Sequence, residues 1–347
     1  MANAARVPIS TRRLFWAGVL AIIVPVLTLT THLTSGTELA RVRNALIFDA
    51  DRPQDFAWTP STRPKDFLVD RGDPDPYFVA VAERLHLAAL PSDWDRAKAI
   101  ATHLLSSHPP LMGGAVQSNL TGTYEAIVGQ GRGYCADFVL VFRALASTAG
   151  VPVRAWAFSF DGFGGHGHVL PEIWDRSAGR WYVLDIYNNN YFVGADGSTP
   201  LSASEFRRML LDEPSELRLL RIAPRQPPGY VDEEKMLTYY RRGLREWYLW
   251  WGNNPFTYEG GSPYRWLLPV SRPAAQLTAI VEGVQPRIRP LRTPDNQAQV
   301  ESIEFLRLHI ELAALSVLLG LAFLAIAFLR GTKRRTLASL PIPAGEC

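Results

Sequence analysis

Two uncharged apolar runs, one near each end, constrain this chain more than anything else in it. Residues 14–31 read LFWAGVLAIIVPVLTLTT and residues 312–329 read LAALSVLLGLAFLAIAFL. Each is just long enough to cross a bilayer as a helix. Gly18, Pro25 and Gly320 are compatible with that, because lipid-embedded helices tolerate such residues. A cleaved leader is the alternative for the first run, but no small-residue cleavage site stands out after it. A buried core helix is the alternative for the second, although a basic tail abuts it as it would a stop-transfer segment. Arg6, Arg12 and Arg13 precede the first run; Arg330, Lys333, Arg334 and Arg335 follow the second. The positive-inside tendency then predicts cytoplasmic termini, with everything between the runs periplasmic or extracellular.

The intervening chain has the composition of a folded domain. Apolar residues make up 47% of the sequence and charged residues 20%, which allows a real core and argues against disorder. The net charge is only +3 and the basic residues are scattered, so nucleic acid is not an expected partner. Cys135 and Cys347 are the two cysteines. The predicted topology puts them on opposite sides of the membrane, so they cannot pair. A lone Cys in an oxidising compartment is either a small buried hydrophobe or a residue kept for its reactivity.

Local patterns place the elements around Cys135. Residues 35–75 read as an irregular, Pro- and Asp-rich linker lying on the domain, and 76–90 has helical spacing. Ser92 is a suitable N-cap for a helix over 92–107, with Asp93 and Asp95 in its first turn. Residues 108–122 read as loop. Gly129, Gly131 and Gly133 mark a turn, and a helix is predicted from Cys135 to Ala149, stopped by Gly150 and Pro152. Val153–Phe160 reads as a buried strand. The glycine-rich DGFGGHG (161–167) lacks a phosphate loop's Lys-[Ser/Thr] and is expected to be a mobile flap. Strands over 168–175 and 180–187 follow, joined by a turn containing Ser177 and Gly179. A helix is expected over SASEFRRMLLD, and residues 230–266 are rich in Trp and Tyr, suited to core packing, the membrane interface or stacking on sugars.

This arrangement suits a thiol nucleophile. A Cys in the first turn of a helix faces unpaired N–H groups and the positive end of the dipole, which favours the thiolate. The same N–H groups can contribute to an oxyanion hole. In the hairpin, His168 falls within about two positions of the residue opposite Asp185, close enough for an imidazole–carboxylate hydrogen bond. Asp185 would then orient His168, and His168 would serve as the base. Side-chain donors to an oxyanion are not evident; Gln130 and Tyr124 are candidates by proximity alone. His166-x-His168 could begin a metal site but has no third ligand at a suitable spacing.

Four separated elements resemble the transglutaminase-like superfamily: GYCADF with Cys135, GVPVR at 150–154, HVLPE from His168 to Glu172, and WYVLD from Trp181 to Asp185. Their order and spacing match across these residues, and the upstream helix and TYEAI extend the likeness to about 90–200. The resemblance implies an α+β, papain-like core, with the Cys-bearing helix packed on an antiparallel sheet and a membrane helix on either side. It also implies a Cys135–His168–Asp185 triad; no cofactor is required, and the calcium used by some animal relatives has no visible loop here. Leu170 stands where the family usually has an aromatic residue, and Pro171 implies an edge position or a bulge.

The chain is expected to divide into a cytoplasmic N-terminus (1–13), a span (14–33), a linker and helical lead-in (34–89), a catalytic domain (90–225), an aromatic-rich extension (226–305), a second span (306–329) and a basic cytoplasmic tail (330–347). The expected activity is thiol-dependent acyl transfer or hydrolysis at amide bonds of a protein, peptide or envelope polymer, beside the lipid bilayer. A non-catalytic envelope module keeping the same fold is the rival, and a metal-dependent hydrolase around His166 and His168 a third reading.

Overall fold

The computed structural model describes residues 10–51, 55–107 and 110–338; Arg6 and Cys347 lie outside them. The first apolar run forms the helix Thr11–Leu29, capped by Ser10, whose hydroxyl accepts from the Arg13 N–H. The second lies within one continuous helix, Gln297–Ala338. Both are long and apolar enough to cross a membrane, which supports membrane association. Phe15, Trp16, Leu20, Leu315, Leu318 and Phe328 are exposed on them, as lipid-facing side chains would be.

The two long helices touch where both are smallest. A Cβ added to Gly18 would lie 2.8 Å from the Gly320 carbonyl oxygen, and one added to Gly320 would lie 2.7 Å from that of Gly18. Backbones approach this closely only where side chains are absent. Ser316 adds a hydrogen bond to the Ala21 carbonyl at 2.9 Å. The C-terminal helix begins well before its apolar run, and Val300, Ile303 and Leu306 are buried in a cluster with Phe48 and Ile288. One rigid rod therefore carries the domain's packing into the apolar segment.

The domain is built on a mixed sheet of β1 (Leu68–Val69), β2 (Val153–Ser159), β3 (Gly167–Asp175), β4 (Arg180–Asp185), β5 (Asn190–Val193), β6 (Arg218–Arg221), β7 (Trp247–Asn253) and β8 (Arg287–Pro290). The order is β1-β7-β2-β3-β4-β5-β6, with β8 also on β7, and only the β1–β7 pairing is parallel. The aromatic segment is thus no separate extension: Trp247–Asn253 is an interior strand, and the sheet runs across the expected boundary at 225.

Both faces of the sheet are covered. On one, Ile100, Leu104, Phe138, Phe142 and Leu145 from helices meet Val153, Ile173 and Leu184. On the other, Phe206, Tyr240 and Trp58 meet Trp156, Leu170, Val183 and Trp247. Double burial explains why β2 and β7 read as continuous apolar runs rather than alternating ones. Pro171 lies in β3 opposite Ala155 of β2, not on an edge strand. The β3–β4 ladder begins only at Glu172, so the ring sits where that ladder has not started and costs it no rung.

The segment expected to be an irregular linker contains the helix Gly36–Leu46, capped by Ser35, whose hydroxyl accepts from the Glu38 N–H. Its later part does lie on the domain, with Phe48, Trp58 and Phe67 buried.

Candidate active site

The helix that presents Cys135 runs Cys135–Thr148 and begins at Cys135 itself. The Asp137 carboxylate accepts from the Tyr134 N–H at 2.8 Å, fixing the first turn. The chain enters through Gly133 at φ +145°, where a Cβ would also crowd Ile127 and Phe138. That conformation is open to glycine and strained for other residues. Cys135 is half-buried and has no disulfide partner among the described residues.

The antiparallel hairpin β3–β4 supplies the other two residues. Its register pairs Glu172 with Val183; continued outward, it sets His168 two positions from the residue facing Asp185. At that offset His168 Nε2 and Asp185 Oδ2 are 2.7 Å apart, with both side chains buried. Asp185 is held from further sides: the Asn188 N–H donates to Oδ1 at 2.9 Å, and Asn188 Nδ2 to Oδ2 at 2.8 Å. The Tyr240 hydroxyl also donates to Oδ2. Rings of Phe158, Tyr187, Tyr239 and Tyr240 surround the imidazole. They supply the aromatic wall that Leu170 does not.

Burial alone would push the His168 pKa down, but the charges of Asp185 and Cys135, with hydrogen bonds donated to both, raise it to about 10. Burial would push the Asp185 carboxyl up, and His168, Tyr240 and Asn188 overcome that to hold it below its ordinary range. The signs define a window. The His168 contribution to stability is complete below its ordinary value of 6.5 and is lost as pH rises through the folded value. The Asp185 contribution is present above its ordinary 3.8 and is lost on acidification. Wild type should therefore exceed Asp185→Asn in stability most between about pH 4 and 6.5, with the gap narrowing toward about pH 10. Thermal unfolding of the full chain in detergent across that range checks this; a gap that widens with rising pH contradicts it.

Cys135 and His168 line one cavity of about 330 Å3. Neither side-chain candidate for the oxyanion reaches it. The Tyr124 hydroxyl is taken up by Arg84 Nη2 at 3.0 Å and His103 Nε2 at 2.8 Å inside the helical layer. Gln130 is exposed at the end of the helix Leu120–Gln130, after which Gly131 turns the chain away. The N–H groups of Cys135 and Ala136, in the first turn, have no acceptor within the helix. His166 takes Asp161 and the Phe160 ring as neighbours rather than a partner shared with His168. The glycine-rich loop is pinned rather than free: Glu246 accepts from the Gly162 and Phe163 N–H groups, and Asn44 donates to the Phe163 carbonyl.

Two quoted motif residues turn out to be architectural. Arg154 Nε and Glu172 Oε2 are 2.5 Å apart, with both side chains buried. Glu172 also accepts from Trp156 Nε1 and the Ala203 N–H, each at 2.7 Å. The guanidinium lies 4.0 Å from the Trp181 ring centroid and 4.8 Å from that of Trp58. Tyr240 and Asn188 were not singled out by sequence reasoning. Asn188 alone left a local signal, an Asn three residues after the Asp that orients the His.

The fold and this geometry define a class: an α+β domain in which a helix-start cysteine shares a cavity with a hydrogen-bonded His–Asp pair. Residues 80–186 match the model of the transglutaminase-like superfamily. Comparison with curated proteins and with solved structures gave no match.

Proposed function

We propose that the protein is a membrane-anchored thiol acyltransferase or amide hydrolase whose Cys135, His168 and Asp185 act as a triad on the extracytoplasmic side. The observation that carries this reading is the buried His168–Asp185 hydrogen bond, with His168 lining a cavity shared with Cys135. Cys135 Sγ attacks the amide carbonyl carbon; the C–S bond forms and the C–N bond then breaks. The leaving amine takes its proton from the His168 imidazolium, and the oxyanion is met by N–H groups of the helix start. Water or a second amine next attacks the thioester, giving its proton to His168 as the C–S bond breaks and the thiolate is restored. Asp185 keeps the imidazole oriented and stabilises its charge throughout. The basic flanks of the two apolar helices support cytoplasmic termini and an outward-facing domain.

The test is to trap the thioester. The full chain incubated with an activated acyl ester should gain one acyl group at Cys135, located by peptide mass spectrometry, and an added primary amine should remove it as the amide. Acylation that is absent, or that goes equally to other residues in Cys135→Ala, favours a binding or assembly module instead.

A further inference from the structure

The cavity beside Cys135 is charged in a way the triad does not require. Cys135, Val139 and Arg143 all line it, at successive turns of one helix face, so Arg143 stands about 12 Å along the axis from the thiol. Arg43, from the helix that follows the first apolar segment, and Arg272 complete a set of three guanidiniums on the wall. No Asp or Glu lines the cavity among the described residues. Arg272 has a carboxylate partner, Asp137, at 3.2 Å.

Among the described residues, the other two arginines have only neutral hydrogen-bond partners. Arg43 donates to Asn44 Oδ1 at 2.7 and 3.0 Å and to Gln276 Oε1 at 3.4 Å. Arg143 donates to Asn253 Oδ1 at 2.9 Å and to the Gly252 carbonyl at 2.7 Å. Burial lowers the pKa of both, and only the more distant Asp70 offsets this for Arg143. Both are half-buried, and half-buried cations without a carboxylate partner favour an anion entering the cavity.

A second, independent feature points the same way. Asn254 Oδ1 and Gln285 Oε1 are buried without any hydrogen-bond partner, and both residues line this cavity. Their exposures are 2% and 9%. Buried acceptors of this kind are normally satisfied, so these two oxygens lack an N–H donor, as the arginines lack a negative charge. A carboxylate next to an amide or amine N–H supplies both. A phosphate supplies the charge without an adjoining N–H.

We propose that this cavity binds the anionic end of the substrate, so that the amide attacked by Cys135 belongs to a peptide-like molecule bearing a free carboxylate with an N–H beside it. The volume, about 330 Å3, falls in the range of small-ligand sites. In an extended chain at about 3.3–3.6 Å per residue, the span from Cys135 to Arg143 corresponds to some three or four residues. This rests on the nucleophile reading and adds the substrate class to it.

The test is protection of Cys135 in the full-length protein against iodoacetamide, read at the Cys135 peptide. The protectors are N-acetylglycylglycine as its free acid, the same compound as its C-terminal amide, and inorganic phosphate. The free acid should protect at about tenfold lower concentration than the amide or phosphate, the size expected of one charge-assisted contact. In Arg43→Gln and Arg143→Gln that preference should collapse, and Arg143→Lys should keep part of it. Equal protection by acid and amide at a His168-dependent Cys135 overturns the subsite and leaves the nucleophile reading standing. Protection by phosphate as strong as by the free acid also overturns it. The wild-type comparison needs no variant, so a misfolded substitution does not spare the proposal. If instead Cys135 shows no dependence on His168, the nucleophile reading fails and the subsite with it.

Discussion

Replacing His168 with alanine should lower turnover of an amide or ester substrate by at least about three orders of magnitude, the scale of losing the base of a nucleophile–base pair. Cys135→Ala should do at least as much. The double variant should lose little more than the worse single one, because residues acting as one unit are not additive. Asp185→Ala should fall short of both: the imidazole would remain, held by its ring neighbours but without its orienting carboxylate. Steady-state kinetics on the four proteins test this. Additive losses would mean that Cys135 and His168 act separately. His168 is fixed by one carboxylate, which Asn188 and Tyr240 hold in turn, so its geometry is determined well before any substrate arrives.

The second large effect is on stability. Glu172→Ala should destabilise the domain by about 3–5 kcal/mol, the range for leaving one member of a buried ion pair uncompensated. Arg154 would keep its cation–π contacts with Trp58 and Trp181 but lose its only ion-pair partner among the described residues. The Trp156 and Ala203 N–H groups would lose their acceptor in the same step. For a domain of this size the cost corresponds to about 6–20 °C in Tm. Arg154→Met with Glu172→Leu should recover much of the loss, since a packed apolar pair removes both desolvation penalties. A Glu172→Ala protein with wild-type Tm would show that the pair adds nothing.

The parts of the fold that could be read from the sequence are those encoded locally. Ser92 does cap the helix Asp93–Leu104, the cysteine helix starts at Cys135 and ends before Gly150, and the hairpin that sets His168 against Asp185 has a turn at Ser177–Gly179. Each depends on residues within a few positions of one another. Two other local signals were present and passed over. Ser35 with Glu38 marked the start of the helix that carries Arg43. Asn119 marked another, Leu120–Gln130, whose beginning falls in the stretch read as loop.

The remainder depends on contacts distant in sequence. Tyr240 reaches Asp185 across 55 residues, and no spacing rule connects them. Trp247–Asn253 is an interior strand because β2 and β8 flank it; by itself, a doubly buried strand has the same apolar appearance as a packed helix. The cavity wall draws Arg43, Arg143 and Arg272 from three parts of the chain, each an ordinary solvated arginine in one dimension.

The central claim is that His168 activates Cys135, and the most direct measurement is the rate at which iodoacetamide alkylates Cys135 near neutral pH in the full-length protein. The account predicts fast alkylation in wild type, a drop of about tenfold or more in His168→Ala, and an intermediate rate in Asp185→Asn. Equal rates in all three proteins would contradict it, and would leave the buried His168–Asp185 pair as part of the architecture rather than the chemistry.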